Sequence, residues 1–319
     1  MSEPDTVSFL AGSPLLGGRG EDDLAELAGA MRRRRAAAGD VLWSEGDEAR
    51  ELLFVLDGEV GVSLGAPGGR VVEIGRVGPG GVLGEIGLLE GGKHTMTVRA
   101  TEPTMLLTLS RHDFAALLGR PDPSSFELKR RLASQFAVRL RNQLRQLAET
   151  LGDDPVDAAR SAPELEACGP PDSRYLSRMA TFHDFDPVAL WGFLTSGSYA
   201  MCPPGSTLLG EGERSEACYL TINGAVEKVL VRGDRRVRVD LAGPGKAFGY
   251  ESLIDDLPSP VTAITRERTL LLVLPREPFK QLYDRNDTIA RVFLDVLLRD
   301  LVTTLRMTLR PHARLAASV

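Results

Sequence analysis

The chain has 319 residues, of which 43% are hydrophobic and 26% charged, and a formal charge of −6. That length suggests two domains with proper cores, and the acidic balance argues against a sequence-independent polyanion binder, which needs a broad basic face. Cys168, Cys202 and Cys218 form no C-x-x-C pair and the acidic N-terminus has no apolar h-region, which together suit a reducing, cytoplasmic setting.

No apolar run approaches the roughly 18–20 residues of a membrane span. Phe9 to Met31 reads as one or two short helices. Glu21, Asp22 and Asp23 suit a helix N-terminus and Arg32 to Arg35 a basic helix end leading into the first strand. From Ala36 the texture changes to short β-branched and leucine-rich runs broken by glycine. Val41 to Trp43, Leu52 to Leu56 closed by Asp57-Gly58, Val60 to Leu64, Val71 to Val77 and Thr104 to Leu109 read as strands. Their spacing predicts a sandwich or jelly roll. Ser124 to Leu151 is predicted as one long helix, with Leu128, Leu132, Phe136, Leu140 and Leu144 on one stripe. Arg130, Arg131, Arg139, Arg141 and Arg145 then make a solvated face.

Residues 152–172, rich in Pro, Asp and Ala, read as a linker, and Ser173 to Ser196 as helical. The β set then returns. Gly39, Leu42, Glu45, Gly46, Gly58 and Val60 recur 166 residues later as Gly205, Leu208, Glu211, Gly212, Gly224 and Val226. The offset falls to 165 by Pro79 and Pro244, so one hairpin tip is a residue shorter. Register kept over so many positions marks an internal duplication. Asp287 to Arg310 is a second long helix. Both long helices carry more apolar surface than one roll would hide, which predicts that they pair within or between chains, with homodimerisation through 124–151 and 287–310 as one outcome. Two smaller features carry little: His183, Asp184 and Asp186 lack the specificity of a metal set, and Asp255-Asp256 reads as loop solvation.

The candidate site is Pro79 to Ala100. Glycines and a tight turn lead into one helical turn at Gly84, Glu85 and Ile86, and a polar-rimmed run follows through His94 and Thr95. Such a turn gathers backbone N–H groups on one spot, which suits a phosphate, and an ionised Glu85 would accept from sugar hydroxyls. The second copy offers Gly249, Tyr250, Glu251, Ser252 and Ser259. Gly84 maps on Gly249, Glu85 on Tyr250 and His94 on Ser259, with Glu251 one position late.

These paired stretches resemble the phosphate-binding cassette of cyclic-nucleotide-binding domains, as in catabolite-activator-type regulators and protein-kinase regulatory subunits. The family pattern is F-G-E-[LI]-[AG]-L, a short loop, an Arg, then [ST]-A. The resemblance implies a mainly β fold with flanking helices: two tandem jelly rolls, each followed by a long helix, at 9–151 and 173–312. It also implies a cyclic nucleotide as ligand, with cyclic AMP, cyclic GMP or a cyclic dinucleotide as candidates, and no cofactor. The family's Arg forks onto the cyclic phosphate, yet its slots hold His94 and Ser259 here. Losing one partner of such a buried pair costs about 2–5 kcal/mol, or roughly 30- to several-thousand-fold in affinity. A protonated His94 would give one charged hydrogen bond that fades between about pH 6 and 8; otherwise it points to solvent. Pro260 removes a backbone donor beside Ser259, and Tyr250 stacks, caps or plugs the second pocket.

Two functions follow as expectations. One is a cytoplasmic second-messenger receptor that senses its nucleotide weakly and signals through its long helices to a separate protein effector. The other is a pair of degenerate domains kept as a ligand-independent assembly scaffold. No nucleophile–base pair, metal set, membrane segment or nucleic-acid-reading helix favours an enzyme or a transcription factor.

Overall fold

A computed structural model describes residues 3–152, 165–172, 182 and 186–316. The chain forms two compact units, the first built mainly from residues up to Leu132 and the second from Ala133 to His312. The expected linker and the helix over 173–196 lie partly outside the described residues, as do His183 and Asp184.

The first unit starts with helices α1 (Glu3–Gly12) and α2 (Glu21–Ala30). The four arginines do not end α2. They form strand β1 (Arg32–Ala36), paired antiparallel with β8 (Thr104–Ser110) in the register Arg32↔Thr108 to Ala36↔Thr104. Ladder hydrogen bonds to β8 outweigh the helix-dipole benefit that the charges suggested. As an edge strand, β1 is also where exposed charge guards against stray pairing.

Strands β2 (Val41–Trp43), β3 (Glu51–Asp57), β4 (Val60–Ala66), β5 (Arg70–Val77), β6 (Val82–Leu83) and β7 (Thr97–Ala100) complete a two-sheet roll. Its sheets run β1-β8-β3-β6 and β2-β7-β4-β5. Gly58, with φ +82°, turns β3 into β4 as the Asp-Gly pair predicts. Leu53, Val55, Val60, Val62, Leu83, Val98 and Leu106 fill the space between the sheets. Helix α3 (Glu85–Leu89) sits between β6 and β7, and α4 (Arg111–Gly119) follows β8. The long helix α5 (Pro123–Leu151) spans the predicted range and passes from the first unit into the second.

In the second unit β9 (Glu166–Cys168), within the expected linker, adds to the edge of β10 (Ser198–Cys202) after helix α6 (Pro187–Leu194). Then come β11 (Thr207–Leu209), β12 (Ala217–Asn223), β13 (Val226–Arg232), β14 (Arg235–Ala242), β15 (Ala247–Phe248), α7 (Glu251–Asp255), β16 (Thr262–Thr265), β17 (Thr269–Pro275), α8 (Arg276–Asp284) and α9 (Thr288–Ala316). The sheets run β15-β12-β17-β10-β9 and β11-β16-β13-β14.

The duplication is written into the hydrogen bonds. Gly46 N–H donates to His94 O at 2.8 Å, and Gly212 N–H to Ser259 O at 2.9 Å. Gly39 donates to Ala100, and Gly205 to Thr265, each at 2.8 Å. Arg111 donates to Arg50 at 2.8 Å, and Arg276 to Glu216 at 2.9 Å. The chain is thus mainly β with flanking α, two tandem jelly rolls each followed by a long helix. Within the second unit Gln143 of α5 accepts from Thr308 of α9 at 2.9 Å, so the long helices meet within the chain.

Candidate functional site

In the first cassette Gly84 carries φ +97°, where a methyl group would lie 2.7 Å from the Glu51 carbonyl oxygen. Only glycine fits both demands, and the turn it makes starts α3 with Glu85 and Ile86, both buried. Gly87 is equally constrained, since a Cβ would fall 2.8 Å from that of Ala49. The second copy solves that contact differently: Ser252 replaces Gly87 and Ser215 replaces Ala49, and Ser215 N–H donates to Ser252 Oγ at 3.0 Å. Gly249 repeats Gly84, with φ +80° and a methyl position 2.9 Å from Ala217 O.

His94 does not point to solvent. Its ring is buried and stacks on Trp43, with centroids 4.0 Å apart and planes 6° from parallel. Burial pushes its pKa below the ordinary 6.5, with Asp47 pulling the other way, so the imidazole is neutral at pH 7. A charged His94 contact that fades between pH 6 and 8 therefore does not fit this environment. The hollow of about 310 Å³ against His94 is lined by Asp47, Glu48 and Glu51 with Arg50, a charge balance that does not favour a phosphate there. Arg50 pairs with Glu48 at 3.0 Å, and Arg34 with Glu51 at 2.9 Å. Thr95 is half-buried beside His94.

Tyr250, in the slot of Glu85, is fully buried, and its hydroxyl donates to Asp300 Oδ2 of α9 at 2.5 Å. It ties the second cassette to the helix. Asp300 belongs to a buried network that sequence reading missed. Lys228 of β13 lies 3.1 Å from Asp240 of β14, its cross-strand partner, and 3.9 Å from Asp300. It also donates to Thr304 Oγ1 at 3.1 Å, while Lys246 reaches Asp240 at 3.0 Å.

Burial opposes the charge on Lys228, but Asp300, Asp240 and Glu251 outweigh it and hold the ammonium above its ordinary pKa. Burial also opposes charge on Asp240, yet Lys228 and Lys246 bring its pKa down to about 2. Asp300 and Glu251 move the other way, raised chiefly by burial. The sequence signals were a lysine inside the apolar run of β13 and an aspartate on the buried stripe of α9.

Ser259 is buried and turned onto its own loop, its Oγ donating to Val261 O at 2.8 Å. Guanidinium groups reach this cassette from elsewhere. Arg141 of α5, expected on a solvated face, forks onto Asp255 at 2.8 and 2.9 Å and donates to Pro258 O at 2.5 Å. Asp256 in turn holds Arg276 at 2.7 Å, so neither aspartate is mere loop solvation. Among the described residues no cluster of His, Cys, Asp and Glu is arranged to hold a metal, and no helix is long and apolar enough to cross a membrane.

The family comparison agrees with this geometry. The cyclic nucleotide-binding domain profile matches residues 33–120 and 201–286, together more than half of the chain. The "Cyclic AMP receptor protein" of Thermus thermophilus is 32% identical over 111 residues, covering 35% of this chain and 51% of that protein. The "cAMP-dependent protein kinase regulatory subunit" of Yarrowia lipolytica is 23% identical over 268 residues, covering 84% of this chain and 58% of its own length. The chain thus spans little more than half the length of these two relatives. Among solved structures, the regulatory domain of Toxoplasma gondii PKA with cAMP aligns over 88% of this chain and 91% of its own, at 20% identity and a TM-score of 0.35. With its two matched segments carrying the paired cassettes, this chain belongs to the cyclic nucleotide-binding domain family.

Proposed function

We propose that the chain is a regulatory binding protein whose first roll takes a cyclic nucleotide and whose second roll is closed by its own side chains. The observation that carries this is the exchange of Glu85 for Tyr250 at one position of the two cassettes. Glu85 keeps the carboxylate that sugar hydroxyls would bond, whereas Tyr250 spends its hydroxyl on Asp300. The strands behind the cassettes support the same reading. The first roll has Val62 opposite Gly75, and the space a Cβ would take at Gly75 has nothing within 4 Å. The second has Lys228 opposite Asp240, both buried.

The names of the relatives make cyclic AMP the first candidate, with cyclic GMP and a cyclic dinucleotide behind it, because the clamp is altered. Gly84, Glu85, Ile86, His94 and Thr95 form the site, and neutral His94 offers one uncharged hydrogen bond where the family has a guanidinium. Affinity is therefore low, and occupancy is passed through α5 and α9 to a separate protein effector. Family membership is that of a binding domain, so the reading is of a receptor and not of a catalyst.

Calorimetry of the full chain with cyclic AMP, cyclic GMP and cyclic di-GMP tests it. The expected result is a weak component that Glu85→Gln removes. Silence toward all three ligands, or binding indifferent to Glu85→Gln, would instead favour the scaffold reading, which the carboxylate-rich hollow beside His94 supports.

A further inference from the structure

The two rolls differ at one sheet edge. β1 (Arg32–Ala36) and β10 (Ser198–Cys202) are the same strand of the two copies: each pairs antiparallel with the last strand of its roll, β8 or β17. In the second unit the chain adds β9 to the outer side of β10, in the register Tyr199↔Cys168 to Met201↔Glu166. In the first unit β1 is the outermost strand of its sheet. The outward N–H and C=O groups of such a strand are a template for one more. The second copy shows that this edge of the fold accepts it.

Charge decides which strand fits. Arg34 is committed to Glu51 at 2.9 Å, and Arg33 donates to Thr6 Oγ1 at 2.8 Å. Arg32 and Arg35 are exposed, and among the described residues neither has an ion-pair partner. Side chains of a strand alternate between its faces, so these two guanidinium groups flank an added strand on opposite sides, three residues apart. In the second copy Glu166 of β9 lies opposite Met201, the counterpart of Arg35, so an added strand there brings a carboxylate to this place. The other long edges, β5 and β14, also carry arginines. Arg76 is spent on Glu59 and Glu73, and Arg236 on Glu227, and neither edge has a strand added in either copy.

We propose that the outer edge of β1 is a docking site for an extended acidic segment of a partner protein. The segment adds as an antiparallel strand, with one carboxylate opposite Arg35 and another three residues on, opposite Arg32. Main-chain hydrogen bonds supply the affinity, and the two arginines choose the partner. The charge that keeps neutral and basic strands off this edge is what admits an acidic one. Docking here involves neither cassette and needs no bound nucleotide.

The test titrates the full wild-type chain, without nucleotide, with the end-capped peptide Thr-Val-Glu-Thr-Val-Glu-Thr-Val, whose glutamates are three residues apart. The expected result is saturable binding that slows amide exchange at Arg32–Ala36 and weakens as salt rises. Of two peptides N-methylated on alternate residues, the one whose methyl groups face β1 should lose binding, because its charges remain while the ladder is gone. The double variant Arg32→Glu, Arg35→Glu should bind the parent peptide roughly tenfold less tightly or worse. An exposed charge pair contributes up to about fivefold, and reversal puts repulsion in its place. A peptide with Lys in place of both Glu should recover the loss. Both side chains are exposed, so the variant should keep the wild-type melting temperature. The proposal is overturned if the peptide does not saturate, if exchange slows elsewhere, if both N-methylated peptides bind like the parent, or if the folded double variant binds like the wild type. It is overturned equally if a deoxythymidine oligonucleotide protects β1 as well as the peptide does, or if β1 is already protected by self-association without any peptide.

Discussion

Val62 faces Gly75 across the first roll, and at the matched positions of the second roll Lys228 faces Asp240. Glu85 becomes Tyr250 in the same comparison, and Gln135 of α5 becomes Asp300 of α9. In the second copy all four positions hold a buried polar or charged group, and each finds its partner among the others. That coupling is what physics requires. A lone buried charge is costly, and a buried polar network is tolerable only when its members satisfy one another. The first roll differs in another way: its glycine turn and Glu85 are kept, and at the position where the family pattern has an arginine His94 stacks on Trp43. We read the pair as one binding fold altered in two ways, by filling the second cavity and by loosening the first clamp.

The largest effect should come from breaking the filled side of this comparison. Lys228→Ala leaves Asp240 and Asp300 without their shared cation, and removing one partner of a buried pair costs about 3–5 kcal/mol. Urea unfolding of the full chain should show that loss in the transition of the second unit, and a loss below about 1 kcal/mol would mean that water reaches the network. Tyr250→Phe is gentler. It deletes one hydrogen bond to a carboxylate, worth about 1.5–3 kcal/mol, and should lower the unfolding midpoint without changing the slope. The same variant should leave first-cassette binding unchanged.

The loosened side should respond to repair. His94→Arg restores a fork for the phosphate and should tighten cyclic AMP binding by roughly tenfold, about 1.4 kcal/mol. No gain would show that Trp43 and the carboxylates around that hollow, and not the missing guanidinium, set the affinity.

Much of this architecture is legible in the sequence because a duplication repeats its own punctuation. Gly58 and Gly224 close the same hairpin, and Gly84 and Gly249 make the same forced turn, so local chemistry alone locates both cassettes. The residues that stand in the two clamp slots, His94 and Ser259, are equally local. Lys228, Asp240 and Asp300 are another matter. Lys228 and Asp240 face each other across one hairpin, but Asp300 comes from a helix much later in the chain, and the apolar run around Lys228 and the buried stripe around Asp300 do not say which charges meet until the fold brings them together. Arg141 and Asp255 escaped for the same reason, since a helical wheel shows which residues share a face but not what that face meets. The arginines of β1 misled in the opposite direction: their charge suited a helix end, and strand pairing with β8 decided otherwise.

The smallest predicted effect is a pH response confined to the first roll. The folded-state pKa of His94 is depressed by burial, so the neutral ring is the form that the fold prefers. The stability linked to it is complete above the unfolded value of about 6.5 and is lost as pH falls through the folded value. Asp47 opposes this shift by favouring the charged ring, and Glu48, Glu51 and Arg50 line the same hollow, so the net change is modest. Trp43 reports it directly, because an imidazolium stacked at 4.0 Å quenches an indole that a neutral ring leaves bright. In a Trp191→Phe background, Trp43 emission should fall with a midpoint below pH 6.5, while cyclic AMP affinity stays level between about pH 7 and 8. A midpoint above 6.5 would mean that the carboxylates, and not burial, govern His94, and would return a charged ligand contact to the first cassette.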